Sequence, residues 1–89
     1  MDLNLDFSLT GLDGQKLPDS HVGEIVANAL FFAQEKQNAL KFHAWAMDLH
    51  ARKTIALDAQ DDAVFRVFVE TMNIPVVTYI SIINAMKTD

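Results

Sequence analysis

No cysteine occurs among the 89 residues, which removes disulfides, thiolate metal sites and thiol nucleophiles together. A reducing compartment is the expectation that follows. Basic residues are scarce as well: seven Lys and Arg stand against twelve Asp and Glu, giving a net charge of -5. Phosphate backbones are held by clustered cations, so no nucleic acid is expected as a partner. The carboxylates are too dispersed to imitate one, with Asp58, Asp61 and Asp62 the only close group. No run of about eighteen apolar residues is present, and MDLNLDF carries neither a basic segment nor an apolar core. Neither a membrane association nor a secretion signal is therefore expected, and the expected location is the cytoplasm of whatever cell makes the chain. No repeat, low-complexity stretch or linker divides residues 1–89, so they are read as one domain.

Apolar residues, by contrast, are plentiful. They make up 51% of a chain whose small size limits burial to about 60–65% of the unfolded surface. The surplus points to a homo-oligomer, a dimer or something higher.

The first seventeen residues read as a β-hairpin. Leu3, Leu5, Phe7 and Leu9 alternate with polar residues, and Asp13-Gly14 turns the chain toward Leu17. A three-residue loop of Leu12, Asp13 and Gly14, with Gly14 left-handed, pairs Gly11 with Gln15 and Leu9 with Leu17, so that both leucines join one buried face. Pro18 then ends the strand, and Asp19 or Ser20 caps the next helix.

Four helices are expected after it, over about 20–36, 38–53, 59–73 and 75–87, which makes the fold α+β and mostly α. Helix one has an inward stripe of Val22, Ile25, Val26, Ala29, Leu30 and Ala33, with Phe32 at its edge. Phe31 falls on the opposite, polar face with Glu24, Ala27, Asn28 and Glu35, which makes it an interface candidate. Helix two has a wide apolar arc through Leu40, Phe42, Trp45, Met47 and Leu49, with His43 and His50 inside it at interior or boundary positions, leaving Lys41, Ala44, Asp48, Ala51 and Arg52 to solvent. Asp58 caps helix three, with Asp61 and Asp62 meeting the helix dipole in its first turn; TIALD before it supplies a short extended segment. Helix four carries an inward stripe of Val76, Tyr79, Ile80, Ile83 and Met86. Val77, Ile82 and Tyr79 leave it apolar over much of its circumference, so these three join Phe31 as interface candidates.

Chemistry-bearing patterns are few. His43 and His50 lie seven residues apart, about 10.5 Å along a helix, too far to share one metal ion, and His21 is tied to neither by any motif. No metal and no cofactor is therefore expected. Ser8, Ser20 and Ser81 stand beside no histidine in any catalytic motif, so the chain is read as no enzyme. His43, His50 and Trp45 remain as candidates for a ligand-binding or pH-sensitive role, and with Tyr79 they define the alternative reading, a small-ligand pocket between helices or subunits.

Three stretches, FSLTGLDGQ at 7–15, ALKFHAWAMDL at 39–49 and IALDAQD at 55–61, resemble a pattern in small proteins encoded by bacteriophages and prophages. Those proteins open with an F-x-L-x-x-L-D-G-type hairpin, continue with an L-K-x-x-x-W-A-type helix and cap a third helix with an L-D-x-x-D-type turn. The resemblance transfers no catalytic or binding residue. It implies a phage-encoded accessory protein in the host cytoplasm that binds other proteins: itself, and a host factor such as a defence component or a phage virion component.

Overall fold

Leu3, Leu5 and Leu9 all lie in the core, as their alternation requires, yet the segment that carries them is divided between two sheets. The computed structural model describes residues 2–87. In chain order they form β1 (Asp2–Leu3), β2 (Ser8–Thr10), β3 (Lys16–His21), α1 (Val22–Phe31), α2 (Ala39–His50), β4 (Ile55–Ala56), α3 (Ala59–Thr71) and α4 (Val76–Lys87). The fold is α+β and mostly α. β1 pairs antiparallel with β4, Leu3 opposite Ile55, and only β2 and β3 form the hairpin.

The hairpin turn has the expected geometry and the strands beyond it do not. Gly14 sits at φ +83°, the Gly11 N–H donates to the Gln15 carbonyl at 2.8 Å, and Thr10 pairs with Lys16. The next pair is Ser8 with His21, so Leu9 faces a bulge that contains Leu17, Pro18, Asp19 and Ser20. Leu17 is therefore 38% exposed and does not pair with Leu9, contrary to the expected register. Two residues cause the slip: Pro18 offers no N–H to the ladder, and Asp19 turns the chain at φ +52°. The Ser20 hydroxyl fills the gap, accepting the Leu9 N–H at 3.1 Å and donating to the Leu17 carbonyl at 2.6 Å.

That detour also changes the helix cap. His21, and neither Asp19 nor Ser20, caps α1: its Nδ1 accepts the Glu24 N–H at 3.1 Å. Val22, Val26 and Leu30 are buried as expected, and so are Gly23 and Ala27, because α1 packs chiefly on α2. The Gly23 N–H donates to the Leu5 carbonyl at 2.9 Å, and a Cβ there would meet that oxygen at 3.0 Å, so a side chain at this position would press the N-terminal segment outward.

α1 stops at Phe31, five residues short of the expected end. The Glu35 carboxylate draws the chain out of the helix, accepting the Gln37 N–H at 2.7 Å, the Asn38 N–H at 3.2 Å and the Asn38 Nδ2–H at 2.9 Å. This organises the entry to α2, whose N-cap Asn38 makes no side-chain cap bond of its own. α3 begins as expected, with Asp58 Oδ1 accepting the Asp61 N–H at 2.8 Å. It meets α2 through ring pairs, Phe42 with Phe68 at 5.1 Å and Trp45 with Phe65 at 5.6 Å between centroids.

α4 is rotated from the expected orientation. Thr78, Ile82 and Met86 face the core, Tyr79 and Ile83 are half-buried, and Val76, Val77 and Ile80 are exposed. A helix that is apolar nearly all round offers little contrast to fix which stripe turns inward. The i, i+4, i+8 set won, with Thr78 the one polar residue it carries in.

Candidate interaction surface

The exposed side of α2 is built on a seven-residue repeat. Leu40, His43, Met47 and His50 follow one another at spacings of three, four and three, the a-d-a-d order of a helix seam, and all four are exposed. Leu40 is 90% and Met47 53% exposed, against the expectation that both lie inside. The buried arc is narrower than expected and consists of Phe42, Trp45, Ala46 and Leu49.

Phe31 continues this seam from α1. It is 55% exposed, its ring lies 5.2 Å from that of Phe32 and 6.1 Å from that of His43, and with Met47 and His50 it lines one shallow depression. Phe32 is 75% exposed. The early end of α1 accounts for this, since the chain leaves the helix just where the two phenylalanines would otherwise have been followed by another turn. His50 Nδ1 stands 2.9 Å from Glu24 Oε1, tying the first turn of α1 to the last turn of α2.

The other candidate residues fall in several places. Val77 is exposed on α4, Tyr79 is half-buried against the core, and Ile82 is wholly inside the monomer and so unavailable to a partner. Ile82 is withdrawn from the interface on that ground, because it belongs to the inward stripe with Thr78 and Met86. Trp45 is buried, with its ring stacked on Phe42 at 5.7 Å, whereas His43 and His50 lie at the surface. The apolar arc predicts interior or boundary positions for both histidines, and the outward seam replaces them. His50 lines one surface depression and His43 another, and neither depression includes Trp45 or Tyr79. Within one chain, Trp45 lies in the core while His43 and His50 face outward, so these residues do not line a common pocket between its helices.

Several of the carboxylates hold the fold together. Asp61 pairs with Lys41 of α2 and Asp62 with Arg66 at 2.9 Å. Asp6 takes both His21 Nε2 at 2.8 Å and Arg52 at 3.0 Å, and these two partners, His21 foremost, hold its carboxyl below the ordinary 3.8. Hydrogen bonds from Asn38 and the Gln37 amide do the same for Glu35, below 4.5. Among the described residues no three His, Asp or Glu side chains are grouped to hold a metal ion, and no helix is long and apolar enough to cross a membrane.

Leu40, Met47 and Phe32 were not foreseen at this surface. The signal for Leu40 and Met47 is their seven-residue spacing, which runs in step with that of His43 and His50; Phe32 follows only from the early end of α1. Compared with protein-family models, with curated proteins and with solved structures, the chain finds no match.

Proposed function

We propose that this chain is a non-catalytic accessory protein that works by protein–protein contact, and that its first partner is a second copy of itself. The observation that carries the reading is the exposed seam of Leu40, His43, Met47 and His50 with Phe31 and Phe32 beside it. A three-four repeat of large side chains along a helix matches the same repeat on a second helix, knobs into holes. A self-complementary patch of this kind supports a two-fold pair, in which each copy offers the same surface. Burying one phenylalanine contributes about 1.5–3 kcal/mol, enough to move a weak dimer by tenfold or more.

The resemblance to phage-encoded proteins supplies the setting: the host cytoplasm, with a host factor or a virion component as the further partner. A net charge of -5 argues against nucleic acid in either role. The test is a concentration series of amide NMR spectra. Shifts that grow with concentration at Phe31, Leu40 and Met47 are expected, and an unchanged spectrum at those positions would refute self-association through this face.

A further inference from the structure

We infer that the groove between α2 and α3 seats an amphipathic helix of a partner protein whose apolar stripe is bordered by Lys or Arg. This assignment rests on the reading of the chain as an interaction protein and names a partner for it. The groove has a volume of about 350 Å³ and is walled by Phe42, Val64, Val67 and Phe68, with Glu35 and Thr71 among its polar residues. It arises because α3 reaches α2 through the Phe42–Phe68 and Trp45–Phe65 ring pairs, while α1 and α2 lie close along their length.

Shape sets the kind of occupant. Along α3 the wall runs from Ala63 to Thr71, nine residues whose ends lie about 12 Å apart. That matches about two turns of a helix presenting apolar anchors at i, i+4 and i+7. Val67 stands in this wall and is 61% exposed, an apolar contact without a cover.

Charge sets the occupant's border. On the flanking helices Lys41 is taken by Asp61 and Arg66 by Asp62, and Lys36, next in sequence to Glu35, is exposed and does not line the groove. Glu35 has hydrogen bonds that favour its charged form and, among the described residues, no ion pair with a cation. A fixed negative charge therefore stands beside an apolar trough on an already acidic protein, the complement of a basic amphipathic helix.

The experiment is fluorescence anisotropy of a labelled helical peptide of leucine and lysine added to the full chain, with a leucine–glutamate peptide of the same pattern as its counterpart. The leucine–lysine peptide should bind and its counterpart should not. Val67→Glu should weaken binding by about tenfold or more, and Glu35→Gln severalfold, whereas Asp2→Asn on β1, which removes an equal charge elsewhere, should leave it unchanged. Ala63→Glu, also at an exposed wall position, repeats the test should Val67→Glu lose its circular dichroism. Absence of binding, equal binding by Val67→Glu, or an equal loss in Asp2→Asn would overturn the assignment. So would sedimentation showing that Val67→Glu dissolves a wild-type oligomer, since a second copy would then be the occupant. Failure of the peptide to bind beside an oligomer that Phe31→Asp disrupts overturns this assignment alone.

Discussion

His21 and Asp6 are joined at 2.8 Å between Nε2 and Oδ1, and the other nitrogen of the same imidazole caps α1 by accepting the Glu24 amide. Because Nδ1 accepts, the proton rests on Nε2 and is donated to Asp6. One ring thus fixes the N-terminal segment to the start of the first helix. Arg52 brings the end of α2 to the same carboxylate, so Asp6 gathers three parts of the chain that are remote in sequence.

A dependence on acid follows. The native carboxyls of Asp6 and Glu35 are held below their ordinary values of 3.8 and 4.5. A group with a lowered native pKa contributes stability above its unfolded value and loses it as pH falls through the native one. The urea midpoint should therefore drop as pH falls below about 4.5, and less steeply in Asp6→Asn and Glu35→Gln. Parallel profiles for wild type and both variants would contradict this origin.

Ser20 replaces a missing stretch of ladder, so Ser20→Ala should cost about 1–3 kcal/mol by leaving the Leu9 N–H and the Leu17 carbonyl without their partner. Equilibrium denaturation measures it. A loss under a few tenths of a kcal/mol would mean that water satisfies both groups.

Gly14→Val should destabilise by about 1 kcal/mol or more, and for a purely conformational reason. Gly14 is left-handed, yet a Cβ there meets nothing within 4 Å. Thermal denaturation that does not distinguish Gly14→Val from wild type would refute the strained-turn account.

Arg52 occupies the position after the α2 cap at φ +62°, with the Lys53 N–H donating to the Asp48 carbonyl at 2.9 Å and the Arg52 N–H to the Leu49 carbonyl at 3.1 Å. This is the Schellman closure in which glycine is usual. Arg52→Gly should therefore be more stable than Arg52→Ala by about 1 kcal/mol, both lacking the link to Asp6. Equal stabilities would show that the left-handed backbone is unstrained.

The helices were legible in the sequence because their cause is local. The Asp58 cap with Asp61 at its third position, and the Val22, Val26, Leu30 stripe, are each decided within a turn or two. What escaped was decided at a distance. Alternation shows that Leu3 has a buried face but not that its strand partner is Ile55, more than fifty residues on. The end of the first helix is the exception: its cause is local, Glu35 bonding to Gln37 and Asn38 two and three residues on, but these bonds compete with a stripe still apolar at Ala33. Of the candidate surface, Phe31 was visible as an aromatic among polar neighbours. Leu40 and Met47 were not, since an apolar residue on a wide arc reads as core until the packing of α1 and α3 shows which part of the arc is covered.

Sedimentation velocity at tens of micromolar, on wild type, Phe31→Asp and Leu40→Asp, tests the central claim most directly. The wild type should sediment as a dimer or larger species, and both variants should shift to monomer with their helical circular dichroism unchanged, because both side chains lie outside the monomer core. Tyr79, half-buried against that core, is the less informative position to alter. A wild type that sediments as a monomer, or variants that sediment as it does, would contradict self-association through the Phe31 and Leu40 face.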